Sequence, residues 1–340
     1  MYKLATIDLD GTMLNQYGVV TNRTKEAIKK AKGRGIETII ASGRPIDSIK
    51  TIAQEIESDK YFISGNGAII YDIQKDEIIY ENTLKKSKVL DIIKICEENS
   101  IYYNIYTEKE ILAKNLQCNV LYYYKENLNK AEKDKTHITL IDDIYKYISE
   151  REEKILKITV CDSTRTIFNS IIRKLKEIDD VEVLDVSHMS RKIIKQGTEE
   201  IPIEYFYTEI SAKNVDKWNA IQVLKEIMNI KTEEIIAIGD NINDKKMIEN
   251  AGLGIAMGQS TPQIKEIANQ ITDSNCEDGV ATFLEKCTDE NRSQRCKLII
   301  LRKCTDKNRS QTCKKMPKKQ KCTAENRYQR CNITKILQKY

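Results

Sequence analysis

Long hydrophobic runs are missing from the 340-residue sequence. No stretch reaches the roughly 20 apolar residues that a membrane-spanning helix needs, so we expect a protein without a membrane span. The first apolar segment is interrupted by Asp8 and Asp10, which is not typical of a secretory signal, and we therefore expect a cytoplasmic protein. Histidine is also scarce: the chain has two, His137 and His188, which we expect to be solvated or core residues.

Net positive charge and clustered cysteines are absent from most of the chain and appear only at its end. Residues 288–340 carry a net charge of +12, whereas residues 1–287 carry −7. Four of the ten cysteines are scattered singly, as is usual for reduced thiols in a cytoplasmic protein. The other six lie close together: Cys287, Cys296, Cys304, Cys313, Cys322 and Cys331. This composition predicts an acidic globular body that carries a basic tail.

The basic tail, residues 288–340, consists of an internal repeat whose first unit begins just before it. Lys-Cys-Thr begins each of three units, at Lys286, Lys303 and Lys321, and a second cysteine follows nine positions after the first. Structural zinc sites usually bring ligands about two to four residues apart, so the spacing argues against zinc. Because apolar residues are few, we expect a largely disordered, dispensable tail with weak, salt-sensitive binding to a polyanion such as RNA.

Strands alternate with helices in the first part of the body. The apolar pattern predicts strands at residues 4–9 and 36–41, with a helix over residues 24–32 between them. The same alternation returns between residues 216 and 257. This pattern predicts an α/β fold with a doubly wound, Rossmann-like parallel sheet that has helices on its faces.

A segment of different composition, residues 80–207, separates the two α/β parts. It is rich in tyrosine and mixes short predicted strands with helices. The economical interpretation is one α/β core that is split in sequence by an inserted α+β cap domain, and the chain length also suggests about two domains. We therefore predict a core from residues 1–82 and 206–287, a cap from residues 83–205, and the tail from residues 288–340.

Two acids directly follow the first predicted strand, in the motif Asp8-Leu9-Asp10-Gly11-Thr12. Ligands of open α/β sheets bind beyond the carboxyl ends of the strands. One carboxylate can stay ionised beside a metal and act as a nucleophile, while the other acts as acid and base. Taken alone, the motif is explained equally well by an ordinary turn or helix cap.

Three further elements occupy predicted strand ends or helix starts. Ser42-Gly43 ends the second strand, where a hydroxyl and backbone N–H groups can bind phosphate or simply cap a helix. Lys217 could neutralise a phosphate, although in isolation it would be interpreted as a surface lysine. Residues 239–244, Gly-Asp-Asn-Ile-Asn-Asp, supply acids and an amide that can complete an oxygen shell for Mg²⁺.

Together the four motifs resemble those of the haloacid dehalogenase-like phosphohydrolases, specifically the Cof-type phosphatases, whose large cap is inserted after the third strand. The motifs occur in the family's order and approximate spacing within residues 1–285. The resemblance implies that Asp8 is the nucleophile that forms an aspartyl-phosphate and that Asp10 is the general acid and base. It also implies a Mg²⁺ cofactor held by Asp8, Asp240 and the backbone carbonyl of Asp10.

The resemblance further implies which groups contact the phosphate and which support the site. The implied phosphate-binding residues are Leu9, Ser42, Gly43, Lys217 and Asn243. Asp244 is similar to the family's supporting acid, which orients the site. Two segments depart from the family pattern, Trp218-Asn219 and residues 189–202, and the second could alter substrate choice because it lies near the predicted cap hinge.

The predicted function is therefore a Mg²⁺-dependent phosphatase that hydrolyses a small phosphorylated metabolite, either a sugar phosphate or a phosphorylated cofactor. A phosphotransferase or mutase with the same aspartyl-phosphate is the alternative among enzymes. A non-catalytic protein that binds nucleic acid or a surface through its basic tail is the alternative from another class. The cap tyrosines could stack on an aromatic substrate, although we expect most of them to be strand formers.

Overall fold

A computed structural model describes residues 1–58, 60–128, 132, 135–184, 190–196 and 199–288, with the backbone alone at 126 and 190–203. The predictions for the tail beyond residue 288 and for His188 therefore lie outside the described residues. Within the described part of the chain, no helix has the length and apolar character that crossing a membrane requires.

The first part of the core alternates strands with helices, as the sequence predicts. Its elements are β1 (Leu4–Ile7), α1 (Asn22–Gly33), β2 (Glu37–Ala41), α2 (Ile46–Glu55), β3 (Tyr61–Ser64), β4 (Ile69–Asp72) and β5 (Glu77–Glu81). The strands β1, β2 and β3 are parallel, whereas β4 and β5 add antiparallel strands at one edge. Helix α1 begins after Thr21, whose hydroxyl accepts a hydrogen bond from the backbone N–H of Thr24.

The second part of the core completes the same sheet. Its elements are α7 (Lys217–Ile227), β13 (Ile235–Gly239), α8 (Lys245–Asn250), β14 (Leu253–Ala256), α9 (Pro262–Ile267), β15 (Gln270–Ile271) and α10 (residues 279–288). The strand order is β15-β14-β13-β1-β2-β3-β4-β5, and apolar side chains fill both faces of the sheet. Because β1 lies between β13 and β2, its carboxyl end is the point where the strand order reverses, the usual ligand position in such folds.

The cap lies between these two parts in sequence and has its own antiparallel sheet. Its elements are α3 (Lys86–Glu98), β6 (Tyr102–Thr107), β7 (Ile111–Ala113), α4 (Cys118–Asn127), β8 (Ile138–Leu140), α5 (Ile144–Ser149), β9 (Ile155–Asp162), α6 (Arg165–Leu175), β10 (Val181–Val183), β11 (Ser190–Gln196) and β12 (Glu199–Ala212). The strand order is β10-β12-β9-β6-β7-β8, and β11 pairs with β12. The α/β core with an inserted α+β cap is thus confirmed.

The long strand β12 carries the chain out of the cap. Residues 206–210 of β12 pair with β9, and residues 210–212 pair with β10, so the predicted boundary between 205 and 206 falls inside this strand. The chain returns to the core only at α7. The segment 189–202, which departs from the family pattern, contains most of the β11–β12 hairpin, in which Ser190 pairs with Tyr205 and Gln196 pairs with Glu199.

Candidate active site

The carboxyl end of β1 places Asp8 at the centre of the sheet. The backbone N–H of Asp8 donates to the carbonyl of Ile238 at 3.0 Å, and the Asp8 residue is only 4% exposed. Gly11 follows with a φ of +86°, and a Cβ at this position would lie 2.5 Å from Oδ2 of Asp240. The glycine therefore allows the loop after β1 to approach the loop after β13 closely.

Lys217 is completely buried between two carboxylates, which contradicts its interpretation as a surface lysine. Its Nζ donates to Oδ1 of Asp8 at 2.5 Å and to Oδ1 of Asp244 at 2.6 Å. Helix α7 begins with Lys217 because the side chain of Asp216 accepts a hydrogen bond from the N–H of Asn219. Burial acts to lower the pKa of Lys217, but Asp244 and Asp8 outweigh it and raise this pKa, so the ammonium stays charged.

Three carboxylates meet at this point. Oxygen atoms of Asp8, Asp240 and Asp244 all lie within 4.8 Å of one another. Burial and then the charge of Asp244 raise the pKa of Asp240 to about 7, and the same two causes raise the pKa of Asp8 well above its ordinary value. A cation would offset this crowding of negative charge, and hard divalent ions prefer carboxylate oxygens. The residues present therefore fit a divalent metal ion.

The two oxygens of Asp244 already have partners within the protein. Oδ1 accepts from Lys217, while Oδ2 accepts from the backbone N–H groups of Asp240 at 2.9 Å and Asn241 at 3.1 Å. These contacts form because Ile242–Asp244 is a 3₁₀ turn that folds back on the end of β13. Asp244 therefore positions Asp240 and Lys217, and Asp8 and Asp240 remain as the carboxylates available to a metal ion.

Asp10 does not belong to the cluster of three carboxylates. Its side chain is 61% exposed and forms a two-pronged ion pair with Arg44, whose Nε donates to Oδ2 at 2.9 Å and whose Nη2 donates to Oδ1 at 2.6 Å. The two acids of the first motif thus have separate environments, as a nucleophile and an acid/base require. Sequence analysis missed Arg44, although it directly follows Ser42-Gly43.

The second predicted motif leads to another residue that sequence analysis missed, Asn66. The Ser42 hydroxyl is buried and accepts from the N–H of Arg44 at 3.2 Å. A Cβ at Gly43 would lie 2.8 Å from Oδ1 of Asn66, and the same oxygen accepts from Nδ2 of Asn243 at 3.2 Å. Asn66 has a φ of 57°, and its position between two glycines was the available signal.

Leu9 has a different environment from the other predicted phosphate-binding residues. Its side chain is completely buried in the hydrophobic core, so only its backbone could contact a phosphate. The carbonyl of Leu9 accepts from the N–H groups of Thr12 and Leu14 and so holds the loop after β1 in shape.

Comparisons with known proteins identify the family of this chain. The sequence profile described as haloacid dehalogenase-like hydrolase matches residues 5–284. Phosphatase YwpJ of Bacillus subtilis is 28% identical over 292 residues, which are 83% of this chain and 99% of the relative. The 5-amino-6-(5-phospho-D-ribitylamino)uracil phosphatase YitU of the same organism is 29% identical over 283 residues, 83% of this chain and 96% of the relative.

A solved structure shows the same architecture. The haloacid dehalogenase-like hydrolase from Bacteroides thetaiotaomicron superposes with a TM-score of 0.68 and is 27% identical. The similarity covers 84% of this chain and 100% of that protein, so it includes both the core and the inserted cap. The chain therefore belongs to the haloacid dehalogenase-like hydrolase family and is a phosphoric monoester hydrolase.

Proposed function

We propose that this protein is a Mg²⁺-dependent phosphatase that hydrolyses small phosphorylated metabolites through an aspartyl-phosphate. The observation that carries the proposal is the buried group in which Asp8 contacts Lys217 beside Asp240 and Asp244. Phosphoryl transfer requires neutralisation of the phosphate charge and alignment of the reacting oxygens. A fixed ammonium and a carboxylate set that fits a divalent ion are suited to both tasks.

The residues would divide the reaction between them. Asp8 would attack phosphorus while Lys217 neutralises charge on the transferred phosphoryl group. Ser42, the backbone N–H groups of Leu9 and Gly43, and Asn243 would hold the phosphate oxygens. Asp8, Asp240 and the backbone carbonyl of Asp10 would hold Mg²⁺, which when bound supplies further positive charge to the phosphate oxygens.

Asp10 would protonate the leaving alcohol and then take a proton from the water that hydrolyses the aspartyl-phosphate. For this step its carboxyl group has to leave Arg44, with which it forms an ion pair. Because the pair is partly exposed to solvent, separating it costs little, about 0–1 kcal/mol. We expect the bound phosphate ester to supply that energy.

The name of one relative supports the proposed class of substrate. The relative YitU is named for hydrolysis of 5-amino-6-(5-phospho-D-ribitylamino)uracil, the phosphate ester of a small organic molecule. This supports a phosphorylated sugar or a phosphorylated cofactor as the class of substrate for this chain.

The proposed function is tested with chelator-treated protein and a panel of phosphorylated metabolites, with and without added Mg²⁺. We expect inorganic phosphate to be released only with Mg²⁺, in amounts equal to the alcohol formed even when a second alcohol is added. Equal rates in chelator would contradict the metal role. Transfer of the phosphoryl group to the added alcohol in place of water would indicate a phosphotransferase.

The basic tail is expected to have no part in catalysis. Truncation after Thr288, where the described part of α10 ends, should leave the rate on a small phosphate ester unchanged, because the proposed catalytic residues all precede it. The truncation should also remove any retention on immobilised RNA at low salt, since it removes a net charge of +12. Loss of catalysis on truncation, or stoichiometric zinc in the full chain, would show instead that the tail is a folded working part.

A further inference from the structure

The two faces of the cap sheet differ in chemistry. One face carries isoleucines that belong to the hydrophobic core shared with α3 and α6: Ile105, Ile158 and Ile210. Successive strand residues point to opposite faces, so Asn104 on β6, Thr159 on β9 and Glu209 on β12 lie on the other face. Asn104 is directly opposite Thr159, and Thr159 is directly opposite Glu209. We call Asn104, Thr159 and Glu209 the polar row.

One end of the polar row touches the core site. Oε2 of Glu209 accepts from Nδ2 of Asn66 at 3.1 Å, and Asn66 in turn contacts Asn243. The other carboxylate oxygen of Glu209 accepts from Nζ of Lys157 at 2.6 Å. The polar row therefore begins beside the proposed phosphate site and continues into the cap.

Two members of the polar row have no hydrogen-bond partner among the described residues. Asn104 is 0% exposed and both polar atoms of its amide lack a partner, and the hydroxyl of Thr159, which is 2% exposed, also lacks one. A buried polar group without a partner lowers the stability of the folded protein, because it has lost its hydrogen bonds to water. Leucine and valine could occupy these positions without that cost. The two groups thus present a donor and acceptors to a partner that the described residues do not supply.

Helix α4 packs on this face of the sheet. Val120 of α4 packs with Tyr106 and Ala113, and Nδ2 of Asn119 donates to the Tyr106 hydroxyl at 2.8 Å. Because Glu209 contacts Asn66 beside the proposed phosphate site, a group that is esterified to a phosphate at Asp8 would extend toward the polar row.

We infer that Asn104 and Thr159 are specificity-determining residues that bind the leaving group of the phosphate ester, and that this group carries neighbouring hydroxyls and no net charge. The inference rests on the proposed phosphatase function. A hydroxyl both donates and accepts a hydrogen bond, which matches an amide beside a hydroxyl. Lys157 and Glu209 neutralise each other, so the row has no excess charge to hold an ionised group. Because both residues are buried, binding of the leaving group requires the side chains that cover them to move.

The test compares two substrates in variants of the full chain. Sorbitol 6-phosphate has a leaving group rich in hydroxyls, whereas the leaving group of phenyl phosphate presents no further hydroxyl to the row. In Thr159→Val and in Asn104→Leu, the ratio of kcat/KM for sorbitol 6-phosphate over that for phenyl phosphate should fall at least about tenfold. Thr38→Val is the matched control, because the Thr38 hydroxyl on β2 is also buried without a partner and lies in the core. It should leave the ratio unchanged.

Two results would overturn the inference. If both cap variants raise the melting temperature and keep the ratio within about twofold of the parent, the unpartnered groups serve no ligand. If the parent hydrolyses neither ester, the proposed function fails, and the inference is then tested by ligand binding. In that case sorbitol 6-phosphate must raise the melting temperature of the parent more than inorganic phosphate does. In Thr159→Val, the two ligands must raise the melting temperature equally. Equal increases in the melting temperature of the parent with the two ligands would overturn the inference.

Discussion

Asp8→Asn is expected to lower kcat by at least about a thousandfold while the protein stays folded, because an amide is a poor nucleophile and removal of a nucleophile costs several orders of magnitude. The fold should persist because the substitution removes a buried carboxylate whose ionisation is already opposed by burial and by Asp244. Steady-state hydrolysis of a nitrophenyl phosphate and circular dichroism measure the two effects. Activity within about tenfold of the parent would contradict a covalent mechanism at Asp8.

Asp10→Asn is the matched comparison, because it changes the other acid of the same motif in the same way. Turnover should again fail, since water is no longer activated. The first step should survive with nitrophenyl phosphate, whose leaving group needs no proton. Mass spectrometry should therefore detect covalently bound phosphate in Asp10→Asn and none in Asp8→Asn. The reverse pattern would exchange the roles of the two acids.

Lys217→Met is expected to lower the free energy of unfolding by about 3–5 kcal/mol, because it leaves two buried carboxylates without their cation. Its Nζ contacts both Asp8 and Asp244, and all three side chains are nearly inaccessible. Urea unfolding of the metal-free protein measures the loss. Adding Asp244→Asn to Lys217→Met should restore part of the stability, since one of the uncompensated charges is then removed.

Lys246→Met is the control for this experiment. Lys246 also pairs with an aspartate, Asp216, at 2.8 Å, but its side chain is 53% exposed. Exposed ion pairs contribute about 0–1 kcal/mol, so the free energy of unfolding should change little. A loss below about 1 kcal/mol in Lys217→Met as well would mean that the buried ion pairs are not formed in solution.

The core could be predicted from the sequence because its strands are short, apolar and separated by helices. The run Ile235-Ile236-Ala237-Ile238 is followed at once by Gly239, and the structure ends β13 there. The cap boundary could not be found in the same way. β12 continues for 14 residues without a glycine, and nothing near residue 205 signals a change of domain. Pairing with β9 and β10, which is a long-range property, decides where the cap ends.

The burial of Lys217 illustrates what a local pattern cannot provide. A lysine in the first turn of an amphipathic helix is ordinarily solvated, and nothing within α7 indicates otherwise. It is buried because Asp8 arrives from β1 and Asp244 from the turn after β13. Arg44 and Asn66 were missed for a related reason, since each acquires its importance from a partner in another segment, Asp10 and Glu209 respectively.

The position of β1 between β2 and β13 has a consequence for synthesis of the chain. One neighbour, β2, follows after a single helix, whereas Thr6 of β1 donates to the carbonyl of Ile236, 230 positions later. A nascent chain that has emerged only through the cap therefore has an unpaired edge on its central strand, and Asp8 lacks its ammonium. The cap elements form one continuous stretch and can fold in this interval. Catalytic competence is thus acquired in one step, when the last quarter of the body, which begins at α7, emerges and closes the sheet.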